Sequence, residues 1–347
     1  MTKNRSSGIH IILLSLLMIT LPCLAAAREI VDMAGRHVVI PNKIARVYGS
    51  SPPATLTLYA LAPDLMIGLN TPYQAGEKPL LRKEIAALPT LGSQAGFGRA
   101  LNPEEVMSRH PDLVIAWLDR FVDNAKAEAS FAKMGMPVVF VRLDTLADYP
   151  AAFRFLGDLF GRKEKAEALA TYIEDAQTRV RKAVGDIPAA EKARVYCAES
   201  ADGLATDCDK SFHAEPILLA GGDNVYHCEQ ATHMGMEKIS LEQIVALAPA
   251  IILSQDKGFA TAAKTNPAWR NVPAAKSGRV FYVPHDPFNW LDRPPSYMRA
   301  LGIQWLANLF YPSRYPFDVK SETKKFYALF LGVDIDDADV ERILGKD

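Results

Sequence analysis

Short apolar runs alternate along this chain with longer stretches whose apolar residues recur at helical spacing. Residues 37–40 (HVVI) and 45–48 (ARVY) read as short strands, and 65–69 (LMIGL), 113–117 (LVIAW) and 137–142 (PVVFVR) read as further strands. Ser51, Pro52 and Pro53 open a helix running through residues 57–61, because serine suits the cap position and proline the first turn. Strands separated by helices predict a parallel sheet covered on both faces. Between residues 161 and 184, Ala166, Leu169, Ala170, Ile173, Ala176 and Val180 form one apolar stripe with no interior glycine or proline. At about 1.5 Å per residue this helix spans roughly 35 Å, the width of a domain. Gly185 and Pro188 end it. A second alternation follows at 193–198 (ARVYCA), 212–220, 241–247 (LEQIVAL), 250–254 (AIILS) and 279–284 (RVFYVP), with helical patterns near 295–310 and 319–330.

The two alternations share a unit. Asn102-Pro103-Glu104-Glu105-Val106 leads to Pro111 and one strand; Ser240-Leu241-Glu242-Gln243-Ile244 leads to Pro249 and another. Each has an N-cap residue, an acid at the second helical position and a Glu or Gln at the third, the pattern of a capping box. The match predicts an α/β chain of two related, Rossmann-like lobes with central sheets, joined by a single long helix. The expected boundaries are 28–160 for the first lobe, 161–186 for the helix and 187–347 for the second lobe.

The N-terminus changes the picture of compartment. Lys3 and Arg5 precede an apolar stretch, residues 9–21, and Ala25-Ala26-Ala27 forms a small-residue cleavage site. Residues 1–27 therefore read as a cleaved signal peptide, with mature protein starting near Arg28. Pro22 before Cys23 departs from a lipid-anchor motif. No second apolar run reaches membrane length, and a formal charge of −1 with mixed signs argues against a nucleic-acid binder. Cys197, Cys208 and Cys228 allow one disulfide in an oxidising compartment. Three pairings are open; Cys208 with Cys228 is favoured, because both flank one short helix in irregular stretches.

The chain resembles a known family. The segments that carry the resemblance are REIVDMAGRHVVIP (28–41), NPEEVMSRHPDLVIAW (102–117), SFHAEPILLAGGDNV (211–225), ISLEQIVALAPAIILS (239–254) and RPPSYMRALGIQWLANLFYP (293–312). They are similar to the helix-linked (class III) substrate-binding proteins of ABC importers, which bind vitamin B12, ferric siderophores, haem and related metal complexes. The resemblance implies two α/β lobes bridged by a rigid helix, with solute held in the cleft between them. It also implies a periplasmic, monomeric protein with no catalysis and no cofactor of its own, working with an importer's permease and ATPase. Glu104 and Glu242 then correspond to the two surface glutamates that meet arginines on the transporter. Both acids also sit where a helix N-terminus favours negative charge. Glu105 and Gln243 already fill the capping role, which frees Glu104 and Glu242 to face outward.

Open α/β sheets bind ligands at the carboxyl ends of their strands. That rule selects loops containing Ser51, Tyr73, Arg99, Trp117 and Phe121 in the first lobe, and Phe288, Trp290 and Arg293 in the second. Ser51 heads a helix whose backbone N–H groups suit an oxyanion. Tyr73, Trp117 and Trp290 offer aromatic walls, Trp290 most clearly, since it lies in the irregular run HDPFNWLDRPPS. Arg293, with Arg99 and Arg120 behind it, offers a guanidinium for an anionic group. His213, His227 and His233 lie close in sequence to Cys208, Cys228, Met234 and Met236, a donor set suited to nickel, copper, zinc or haem iron. Their spacing matches no closed zinc site. The expectation is a metal complex (ferric siderophore, haem, corrinoid, or nickel or cobalt chelate) touched by His213, Trp290 and Arg293. A free ion, an oxyanion such as molybdate, or a secreted metalloenzyme are the alternatives. The chain carries no H-E-x-x-H or G-x-S-x-G motif for the last of these.

Overall fold

The computed structural model describes residues 27–94, 99–230 and 234–346; most of the expected signal peptide, and His233, lie outside them. An antiparallel hairpin, Ala27–Val31 with His37–Pro41, leads into a parallel three-stranded sheet of Val47–Gly49, Leu113–Trp117 and Val138–Val141. The second sheet is also parallel, in the order Val280–Tyr282, Ile251–Ser254, Ala193–Ala198, Gly222–Asn224. All five residues of Leu113–Trp117 and all four of Ile251–Ser254 are buried, as helices on both faces require.

Residues 65–69 do not form the expected strand. Pro63 opens a 3-10 turn, Pro63–Leu65, and the run contributes only single bridges, Met66 to Val47 and Leu69 to Thr90. The matching units are both present, but only one is a full capping box. Ser240 and Gln243 exchange bonds reciprocally. Asn102 instead accepts from the N–H groups of Glu104 and Glu105, while its own N–H donates to the Leu91 carbonyl. Glu105 is thereby released to pair with Arg99 at 2.9 Å.

Helix Lys163–Val184 runs between the sheets in the chain and buries all six residues of the apolar stripe. It lies against helix Asp148–Phe160 so tightly that a Cβ on Gly157 would come 2.3 Å from that of Ala166. The C-terminal segment departs from a simple second-lobe assignment, because it returns to the first lobe. Phe326 and Phe330 stack at 4.3 Å, Phe330 stacks on Tyr297 at 4.9 Å, and Phe153 packs edge-on to Phe330. Tyr59 donates to the Leu331 carbonyl, and Lys165 to that of Leu329. Each such aromatic pair adds about 0.5–1.5 kcal/mol beyond its buried area. One apolar core consequently runs through both lobes, which favours a stiff frame around the cleft. Among the described residues no helix is long and apolar enough to cross a membrane.

Candidate functional site

A cavity of about 490 Å³ opens between the lobes, within the usual size range of small-molecule sites. Its first-lobe wall is the opening of helix Pro52–Leu61 (Pro52, Thr55, Leu56) and the loop after Leu69, from Asn70 through Tyr73 and Gln74 to Glu77. Its second-lobe wall comes from the carboxyl ends of three strands. Glu199 follows Ala193–Ala198, Gln255 follows Ile251–Ser254, and His285, Pro287, Phe288, Asn289 and Arg293 follow Val280–Tyr282. Tyr73 and Phe288 meet across the lobes with ring centroids 5.9 Å apart, and Phe288 stands edge-on to Tyr59 at 5.7 Å. The apolar side of the cavity is thus a continuous aromatic and aliphatic surface.

Its polar side is an ionic cluster. Arg293 donates from Nε to Glu199 (2.8 Å), from Nη2 to both carboxylate oxygens of Asp207 (2.6 and 2.7 Å), and from Nη1 to the Met234 carbonyl (2.6 Å). These partners hold Arg293 at a left-handed φ of 59°, a conformation that costs a non-glycine residue roughly 1–3 kcal/mol. The other oxygen of Glu199 accepts from the buried thiol of Cys197 at 2.9 Å. Burial, then repulsion from Asp207, pushes the Glu199 carboxyl up to about 7 despite the attraction of Arg293. His285 is held to Tyr282 by a hydrogen bond with its hydroxyl, and burial lowers its pKa.

The sequence profile of the periplasmic binding protein family matches residues 94–287, more than half of the chain. The chain belongs to the periplasmic binding protein family. It is a solute-binding protein of the helix-linked kind that the resemblance implied. An ABC transporter solute binding protein from Sulfurospirillum deleyianum is similar over 91% of this chain and 98% of its own, at 35% identity and a TM-score of 0.85. The molybdate-binding protein MolA of Haemophilus influenzae is 26% identical, over 88% of this chain and 91% of MolA. Helicobacter pylori CeuE, solved with Ni(II) bound, shares the fold at 18% identity and a TM-score of 0.70, covering 91% of this chain and 99% of CeuE.

Within this family frame the structure sorts the expected site residues. Tyr73 and Arg293 line the cavity. Trp290 does not: it is 0% exposed, donates to the Tyr327 hydroxyl at 3.4 Å and packs edge-on to Trp305. It is a core residue. Arg99 lies outside the cavity, donating to the Thr90 carbonyl and to Glu105. Trp117 donates to Asp144 at 2.8 Å and packs on Phe212. Ser51 caps its helix by position only. Its hydroxyl is buried without a partner beside a separate small cavity, apart from the one between the lobes. Gln74, Glu77 and Thr55 are lining residues that no motif marked; for Gln74 and Glu77 the continuation of the irregular run TPYQAGEKP beyond Tyr73 was the available signal.

Of the expected histidines, the two that lie in the described residues, His213 and His227, take different surroundings. His213 has a wholly buried side chain, and its Nδ1 pairs with Asp292. The other Asp292 oxygen accepts from Arg299 at 2.7 Å. His227 is exposed, with Asp209 at 3.0 Å from one ring nitrogen and Asp223 at 3.8 Å from the other. Among the described residues no three His, Cys, Asp or Glu side chains are placed to hold a metal ion. The disulfide joins Cys208 to Cys228, and Cys197 is a buried free cysteine.

These burials set a pH dependence. Glu199 has a raised folded pKa, so folding favours its protonated form, and its contribution to stability declines as pH rises from the ordinary glutamate value towards 7. Burial opposes the charge on His213, yet Asp292 raises its pKa overall. Its contribution is complete below the ordinary histidine value and is lost as pH rises through the raised one. Both effects share a sign. His285, whose pKa burial lowers, acts in the opposite sense, so the check is a comparison: between pH 5 and pH 8 the melting temperature of solute-free parent protein should slope more steeply downward than that of Glu199→Gln. Differential scanning calorimetry across this range checks it; a slope unchanged in the variant would contradict the assignment.

Proposed function

We propose that this chain captures a metal-bearing organic complex outside the cytoplasmic membrane and delivers it to an ABC importer. The observation that carries this reading is the cavity itself: an apolar and aromatic wall built by Leu56, Tyr73 and Phe288, faced by polar side chains from both lobes. A bare cation needs three or four protein ligands, and the described residues gather no such set. A complex brings its own ligands and needs apolar cover with a few orienting contacts. A ferric siderophore, a haem, a corrinoid, or a nickel or cobalt chelate all have that chemistry. The nickel–histidine complex of CeuE supports the class, whereas the molybdate of MolA favours an oxyanion. The two carboxylates already engaged with Arg293 weigh against the oxyanion.

Export by a cleaved signal peptide at residues 1–27 belongs to the same reading, as does action as a monomer. So does docking through Glu104 and Glu242, both exposed in the first turns of Pro103–Ser108 and Leu241–Leu247. Reversing both to lysine should abolish metal accumulation by cells that depend on this protein, while the purified variant keeps its affinity for solute. Uptake assays paired with calorimetric titration make the test. Uptake that survives the double reversal would sink the delivery role of these two acids.

A further inference from the structure

The charged groups of the cavity are weighted towards the negative. Its charged lining residues are Glu77, Glu199 and Arg293. The Arg293 guanidinium is committed on every nitrogen, with Glu199 and Asp207 sharing its single positive charge. That cluster offers an incoming anion little: its charge is neutral while Glu199 is protonated and negative once Glu199 ionises. Glu199 has a side chain only 2% exposed, so its charge acts through a dry, weakly screening surround. Across the cleft, Glu77 is half-buried, tied to the Gln74 N–H at 2.6 Å, and near enough to Asp286 to feel its repulsion. A third acceptor stands apart from both acids. Asn70 lines the cavity and is 3% exposed. Its Nδ2 donates to the carbonyls of Gly49 and Gly92, which fixes the amide and turns Oδ1 the other way. That Oδ1 is buried with no hydrogen-bond partner. Buried polar atoms are rarely left so, and the exceptions ask for an explanation.

We infer that the cavity selects complexes that present a positively charged, hydrogen-bond-donating face, received by Glu77 and Asn70 from one lobe and Glu199 from the other, and that it rejects anionic complexes. This rests on the cavity being the solute site and adds the charge of the solute to it. Carboxylates on both walls repel an anionic chelate, while the N–H groups of a cationic one have Glu77, Glu199 and Asn70 as acceptors.

Two inert cobalt(III) complexes of similar size separate the cases: the tris(ethylenediamine) cation, whose outer surface is N–H donors, and the tris(oxalato) anion, whose outer surface is acceptors only. Calorimetric titration of the exported protein should show the cation bound at least tenfold more tightly, and Glu77→Gln and Glu199→Gln should each weaken it by about tenfold. Tighter binding of the anion, or cation binding indifferent to both substitutions, overturns the inference. Phe288→Ala distinguishes the two levels. An anion that binds tightly but is weakened by Phe288→Ala defeats the charge preference and leaves the cavity reading standing; an anion indifferent to Phe288→Ala defeats both.

Discussion

An Arg299→Met variant should lose about 3–5 kcal/mol of stability, the scale on which removing one partner strands buried charge. Arg299 is 0% exposed and makes five contacts that no other side chain can supply. Its Nε donates to the Leu291 carbonyl at 2.9 Å, Nη2 to the Phe212 carbonyl and to Asp292, and Nη1 to Glu215 and the Asp144 carbonyl. Glu215 also accepts from the Leu146 N–H at 3.1 Å. Second-lobe side chains are thereby tied to first-lobe backbone at Asp144 and Leu146, directly behind the cleft. Methionine preserves bulk but takes from Asp292, which is 3% exposed, its guanidinium partner, leaving it paired to His213. Urea unfolding measures the loss. A change below about 1 kcal/mol would place the site in the class of weak surface pairs and contradict this account.

Trp290→Ala is expected to cost about 3–5 kcal/mol, the range for emptying a buried aromatic site. The indole N–H bonds to Tyr327, its backbone N–H donates to the Pro284 carbonyl, and the helix Arg299–Phe310 approaches so closely that a Cβ on Gly302 would sit 2.2 Å from the Trp290 carbonyl oxygen. The variant should nevertheless bind solute nearly as well as the parent at temperatures where both are folded. Phe288→Ala, two residues away and lining the cavity, should lower affinity as well as stability. Parallel unfolding and titration of the two variants decide between them; a Trp290→Ala protein of normal stability and poor affinity would return Trp290 to the cleft.

The pair illustrates what the sequence can and cannot express. Apolar runs such as LVIAW and AIILS announce buried parallel strands because both faces are covered, and the stripe from Ala166 to Val180 announces its helix through spacing alone. The rule that loops at strand carboxyl ends line a cleft led to Tyr73 and Arg293. It could not separate Phe288 from Trp290. Irregular backbone is usually a surface feature, and only the cover supplied by Trp305 and Tyr327 makes Trp290 a core residue. His213 fails as an expected ligand for a similar reason. Its partner Asp292 is 79 residues away, and no local pattern encodes that meeting. Residues 65–69 have strand composition, but Pro63 diverts the chain into a turn first. Glu77 carries no motif, and its place in the cavity follows from how the loop after Tyr73 folds back.

The central claim is that the cleft between the lobes holds an organic complex of a metal. Native mass spectrometry with elemental analysis, on protein drawn from its own exporting cells without chelator, tests that most directly. The account predicts one bound species per chain, several hundred daltons in mass, carrying one metal atom and lost together with the metal on unfolding. A chain carrying a bare metal ion or a molybdate-sized oxyanion, with no organic mass, would contradict it.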